Sequence, residues 1–206
     1  MKYIFGLIAL ALIISCSSPN DPDPVVVLDS SYFPLEDGTT WYFTSATKGS
    51  IVRTIDGDTV ISGITCKRIL ENGLTAEAWT VTESGDSAGF YVHLLTFAIN
   101  NSADTISPRF VPPLGIPLEM ENEEAYAYDS DGFYDLDGLP YMITIDGTLR
   151  FKGFIEKTVP AGSFTDVARV HYETDGYNEY YAPDVGLLDN EDYVLDSAFI
   201  GGEWIR

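Results

Sequence analysis

From about Tyr32 onward, apolar positions recur with period two rather than 3.6. Tyr141, Ile143 and Ile145 alternate with Met142, Thr144 and Asp146; Leu149 and Phe151 alternate with Thr148, Arg150 and Lys152. Side chains two apart share one face of a strand, so the pattern predicts two half-buried antiparallel arms. Asp146-Gly147 between them carries the signal of a type I′ turn. Gly153, where the alternation breaks before Phe154, reads as a bulge. Asp37-Gly38, Asp56-Gly57, Asn72-Gly73 and Asp175-Gly176 repeat the same punctuation. Between them lie strand-like runs at Thr40–Thr47, Ser50–Ile55, Thr59–Ile61, Thr65–Leu70, Glu77–Glu83, Gly89–Phe97, Phe164–Glu173, Tyr177–Ala182 and Asp192–Ile200.

No window joins a capping residue, an i, i+3, i+4 apolar stripe and a glycine stop, so helices are not expected. Turn signals every ten or so residues predict an all-β fold, an antiparallel sheet forming a sandwich or a curved, partly closed barrel. One region departs from this rhythm. Residues 98–140 carry Pro108, Pro112, Pro113 and Pro117 and a run of acids, and read as a long Pro/acid-rich excursion from a single domain spanning 32–206. Long connections of that kind are usually functional, which makes it the first place to look for a site.

The N-terminus adds an address. Lys2 precedes Tyr3–Ile14, which is apolar apart from Gly6 and far shorter than the roughly twenty residues a membrane-spanning helix needs. It fits the apolar core of a secretory signal. The ending Ile13-Ile14-Ser15-Cys16 resembles the lipobox of bacterial lipoproteins, which implies cleavage after residue 15 and acylation (palmitate among the chains) of Cys16. Ser17 after the cysteine implies an outer-membrane destination, with the periplasmic or surface face left open. Residues 16–31, rich in Pro, Asp and Ser at their start, form the expected lipidated tether. No later segment is long and apolar enough for a transmembrane helix, so the lipid is the expected link to the membrane.

Composition narrows the partners. The hydrophobic fraction is 45% and the aromatic fraction 13%, enough for a substantial core. Eleven Lys+Arg against thirty-two Asp+Glu exclude nucleic acid as an expected partner, because phosphate neutralisation needs the opposite balance. An envelope protein or a glycan is the expected kind of partner.

Motifs for chemistry are few. Asp129-Ser130-Asp131-Gly132 and Asp135-Leu136-Asp137-Gly138 are two Asp-x-Asp-Gly copies resembling part of an EF-hand Ca²⁺ loop, so Asp129, Asp131, Asp135 and Asp137 are candidate calcium ligands. Phe133 at the fifth position and the missing Glu at the twelfth favour two acidic turns instead. Glu119, Glu121, Glu123 and Glu124 add charge without geometry. His93 and His171 are too few for a three-histidine zinc site, and no Gly-x-Ser-x-Gly elbow or phosphate-binding glycine loop occurs. Cys66 reads as a small strand residue. Tyr177, Tyr180 and Tyr181, with Trp41, Trp79 and Trp204, could form a sugar platform if exposed, and core or cross-strand pairs otherwise. No catalytic residue and no cofactor are expected.

Three segments resemble a widespread set of uncharacterised bacterial envelope lipoproteins: Tyr32-Phe33-Pro34-Leu35-Glu36-Asp37-Gly38-Thr39-Thr40-Trp41, Val159-Pro160-Ala161-Gly162-Ser163-Phe164-Thr165-Asp166-Val167, and Tyr181-Ala182-Pro183-Asp184-Val185-Gly186-Leu187. The resemblance implies a β domain at the envelope and brings no site residues. The expectation is a non-catalytic binding or interaction module on a lipid tether. A carrier of lipid or another hydrophobic ligand, and a glycan-binding or carbohydrate-active domain, are the alternatives. An enclosed apolar cavity would favour the carrier and an exposed aromatic row the glycan binder.

Overall fold

A computed structural model describes residues 28–98 and 105–206. Cys16, the signal segment and most of the tether lie outside the described residues. The described residues fold into fifteen strands and one 3₁₀ turn, Ser30–Tyr32. In order the strands are β1 (Thr40–Ser45), β2 (Gly49–Ile61), β3 (Ile64–Glu71), β4 (Leu74–Thr82), β5 (Gly89–Leu95), β6 (Phe97–Ala98), β7 (Thr105–Ile106), β8 (Arg109–Pro117), β9 (Ala125–Leu136), β10 (Leu139–Val159), β11 (Gly162–Tyr172), β12 (Tyr177–Ala182), β13 (Gly186–Asp189), β14 (Val194–Ile200) and β15 (Glu203–Ile205).

Apart from the small β6–β7 hairpin, each strand pairs antiparallel with its neighbour in sequence, skipping from β5 to β8. β1 also pairs with β14, through Thr40 opposite Phe199 and Trp41 opposite Ala198. That ladder closes twelve strands into a barrel and leaves β15 as an extra strand on β14. Of the two forms open to the sequence, the barrel is the one adopted, because closure removes the exposed edges a sheet this wide would otherwise carry.

The turns follow their residues unevenly. Asn72-Gly73 has φ of 51° and 83° and links β3 to β4 as an all-positive-φ hairpin turn. Gly153 sits where the β10–β11 register shifts, as expected for a bulge. Asp56-Gly57 is a bulge rather than a turn: β2 runs through it, with the register shifting between Ile55 and Asp58. Asp146-Gly147 is no turn at all. β10 continues through it, with Asp146 opposite Asp129 and Gly147 opposite Tyr128. The odd-numbered apolar positions 145, 147 and 149 stay in phase across the pair, as one strand requires. Glycine is needed at 147 because the Tyr128 ring lies over it; a Cβ there would sit 2.7 Å from the ring's Cζ. The hairpin turn lies instead at Asp137-Gly138, with φ of 54° and 79°. Much of the 98–140 excursion is thereby sheet, supplying β7, β8 and β9.

Antiparallel order sets the two ends. The turns after β2, β4, β10 and β12 lie at one end, and those after β1, β3, β9, β11 and β13 at the other. The first end is plugged. Leu28 is fully buried, so the fold includes residues ahead of Tyr32. The Leu28 carbonyl accepts from Glu119 N–H at 3.2 Å, and the Ser31 carbonyl from Asp184 N–H at 2.8 Å. Tyr32 Oη donates to the Asp166 carbonyl at 2.8 Å. Phe33 stacks on Phe90 with centroids 4.5 Å apart and tilts against Tyr181 at 5.1 Å. Trp41 Nε1 donates to the Val185 carbonyl at 2.6 Å. The three segments that carry the lipoprotein resemblance therefore meet in one place, the plugged end.

The main apolar core has two parts. One contains Trp41, Phe43, Ile55, Val167, Leu188 and Leu195; the other joins the plug residues Leu28, Tyr32 and Phe33 to Phe90, Leu149, Phe151 and Val170. The outer wall carries ion pairs, among them Arg68–Asp56 at 2.6 Å, Arg150–Glu173 at 2.6 Å and Lys152–Glu123 at 2.7 Å. No helix among the described residues is long and apolar enough to cross a membrane.

Phe151 is 1% exposed in the part of the core that packs with the plug. Phe151→Ala is expected to cost about 3–5 kcal/mol, read as a lowered urea midpoint with little change in slope.

Candidate functional site

Eight strands give a barrel just wide enough to be filled by its own side chains, and twelve leave room. That room is a cavity of about 700 Å³ on the side of the barrel away from the plug. Its walls come from alternate residues of neighbouring strands: Trp41 and Phe43 on β1, Arg53 on β2, Glu71 on β3, Glu77 and Trp79 on β4, Phe90 and Val92 on β5, and Tyr177, Glu179 and Tyr181 on β12. Lys48, Asp175, Asn190 and Asp192 line it at the open end. The volume lies in the range typical of small-molecule sites.

Two polar groups sit in this aromatic wall. In the first, Arg53 Nη2 donates to Glu77 Oε1 at 2.5 Å and Nε to Glu71 Oε2 at 3.0 Å. Trp79 Nε1 donates to the other Glu77 oxygen. Tyr193 bridges outward, donating to Glu71 at 3.3 Å and accepting from Lys48 Nζ at 2.9 Å. Burial opposes the Arg53 charge, but Glu77 and Glu71 more than offset it, so the guanidinium holds its proton more tightly than usual.

The second group centres on Glu179. Tyr172 and Tyr181 donate to its Oε2 at 2.9 and 2.5 Å, and Asn190 reaches Oε1 only at 3.5 Å. Glu179 is half-buried and lines the cavity. Burial pushes its pKa up from the ordinary value of about 4.5; the Tyr181, Tyr172 and Asn190 bonds pull it back, and nearby Glu77 adds to the rise. The same burial, with Glu179 alongside, pushes the Tyr172 and Tyr181 phenols well above their usual range. Tyr172 stacks on Tyr177 at 4.7 Å and meets Tyr128 edge-on at 6.5 Å.

The residues singled out in the sequence are dispersed differently. Asp129, Asp131 and Asp135 lie along β9, and Asp137 is in the turn that ends it. Alternate residues of a strand are about 6.6 Å apart, so an extended run spreads its carboxylates rather than wrapping them round an ion. Among the described residues no three His, Cys, Asp or Glu side chains gather in metal-binding geometry. His93 is buried and its Nε2 lies 2.9 Å from Thr80 Oγ1; burial lowers its pKa. His171 lies in the β11 ladder opposite Arg150 and Asn178. Cys66 is buried, and burial pushes its thiol up, away from reactivity. Of the aromatics, Tyr177, Tyr181, Trp41 and Trp79 line the cavity, Tyr180 packs under Lys157 Nζ at 3.6 Å, and Trp204 is exposed beside Tyr42. Sequence reasoning missed Arg53, Glu71, Glu77 and Glu179. The signal was present in charged residues at inward positions of strands, as in Ile51-x-Arg53-x-Ile55.

No known family model and no curated protein matches the chain. Among solved structures it is similar to a protein from Parabacteroides distasonis provisionally described as a lipoprotein, with 15% identity over 81% of this chain and 97% of that one and a TM-score of 0.39. The structure itself is a closed antiparallel barrel, plugged at one end, with a mixed aromatic and carboxylate cavity at the other.

Two outcomes follow from the polar groups. Arg53→Met leaves Glu71 and Glu77 without their cation in a confined site, and is expected to cost about 3 kcal/mol or more, measured by denaturant unfolding. For Glu179 the folded pKa lies above the unfolded one, so folding favours its protonated form. Its contribution is most favourable below about pH 4.5 and declines as pH rises through the folded value. Glu179→Gln, neutral throughout, is expected to gain in melting temperature over the parent protein between pH 4 and pH 8; a constant difference would contradict the shift.

Proposed function

We propose that this chain is a lipid-anchored envelope protein whose barrel is a non-catalytic binding cup for a small, largely apolar ligand. The observation that carries the reading is the cavity: about 700 Å³, walled by Trp41, Phe43, Trp79, Phe90 and Tyr177, and closed below by the plug. An apolar ligand entering such a space gains roughly 25 cal/mol for each Å² of its surface removed from water. The buried carboxylates give orientation, and each is already engaged by protein donors, Glu77 by Arg53 and Trp79 and Glu179 by two tyrosines. This arrangement suits holding a ligand better than cycling protons. The cavity supports the hydrophobic-ligand alternative over a surface that presents itself to a protein or glycan. The anchor rests on the sequence around Cys16, and Ser17 supports delivery to the outer membrane. The acidic surface supports no role with nucleic acid.

The test is native mass spectrometry of a Cys16→Ser chain secreted to the periplasm and purified without detergent. The expected result is a noncovalent small-molecule adduct that is lost on unfolding. A bare chain that also shows no change in tryptophan emission across a panel of apolar small molecules would overturn the cup. Labelled palmitate is expected to enter the parent chain and not Cys16→Ser; equal labelling would overturn the anchor.

A further inference from the structure

The charges around the cavity are unequal. Among the described residues its lining holds two cations, Arg53 and Lys48, against five carboxylates. Both cations are already committed: Arg53 to Glu77 and Glu71, and Lys48 to Tyr193 and, at 3.8 Å, to Asp192. Glu179 has no cationic partner among the described residues. Among the described residues its Oε1 accepts just the 3.5 Å contact from Asn190, which leaves it hydrogen-bonding capacity. Tyr172, which donates to Glu179, stacks on Tyr177 and meets Tyr128 edge-on, and all three rings line the cavity, so aromatic π-surface is close at hand.

Resting on the binding-cup reading, we infer that the ligand is an apolar cation, an aliphatic or aromatic body with an ammonium-type head, and that Glu179 with its surrounding tyrosines receives the head. A cation at this place meets an unpaired carboxylate and aromatic rings together, an arrangement suited to organic ammonium ions. An anionic head such as a fatty-acid carboxylate or a phosphate meets the same carboxylates as repulsion, in a site where water screens poorly. Selection by repulsion is as effective as selection by attraction. The protein's net charge of −21 acts in the same direction at longer range, raising the local concentration of cations at the mouth.

The experiment uses three probes with one ten-carbon chain: decyltrimethylammonium, 1-decanol and decyl sulfate, each below its aggregation concentration, titrated into the Cys16→Ser chain with tryptophan emission as readout. The ammonium probe is expected to bind at least tenfold more tightly than the sulfate, with the alcohol between them. Glu179→Gln is expected to weaken the ammonium probe about tenfold and leave the alcohol unchanged. Sulfate binding equal to or tighter than ammonium binding, or an ammonium affinity unmoved by Glu179→Gln, overturns the charge selection while leaving the cup intact. Absence of binding by all three overturns the cup as well. If Glu179→Gln fails to fold, Glu179→Asp, which keeps the charge but withdraws it, takes its place and is expected to weaken the ammonium probe alone.

Discussion

The width of the barrel governs the rest of the structure. Once β1 pairs with β14, twelve strands enclose more space than their inward side chains can fill. Protein interiors elsewhere are close-packed, and empty apolar space forfeits dispersion contacts. The chain meets this constraint in two ways at once. Toward one end it folds its own residues 28–35 into the opening, with Phe33 between Phe90 and Tyr181 and the backbone tied to Glu119 and Asp184. Toward the other it leaves the space open and lines it with large rings and a few charges.

Those charges sit where a strand pattern would place leucine or valine. Burying a carboxylate is costly unless it is hydrogen-bonded, and the arrangement here supplies the bonds side by side along the wall. Arg53 spans two carboxylates from adjacent strands β3 and β4, and Trp79 and Tyr193 complete their contacts. Glu179 receives two phenols from β11 and β12. A wall so arranged is set in its geometry before anything enters, which lowers the ordering cost of binding. The same arrangement makes the wall selective, because the space it encloses is apolar in shape and negative in charge.

Much of this was legible residue by residue. Period-two alternation identified the strands, and Asn72-Gly73 and Gly153 behaved as their backbone freedom predicts. The misreadings share one cause. Asp146-Gly147 and Asp137-Gly138 are the same dipeptide, yet one is strand interior and the other a turn. The difference lies in what faces them: Tyr128 fills the space over Gly147, whereas nothing lies within 4 Å of a Cβ at Gly138. The Asp-x-Asp-Gly copies were read, without a partner strand, as two acidic turns or part of a cation loop; paired with β10, they are one spread face and a hairpin turn.

The sequence by itself therefore determined the secondary structure class and the net acidity, and it alone carries the expected signal and lipidation at Cys16. These follow from local periodicity, local motif and sum of charge, none of which needs a fold. Tertiary structure decided that the sheet closes, that three distant segments meet as a plug, and that Arg53, Glu77 and Glu179 share one cavity. Strands β2 and β4 flank β3 in consecutive hairpins, but β12 lies far along the chain and shares their space only because the ring closes. No pattern within a strand can state which strand will stand opposite it across a barrel.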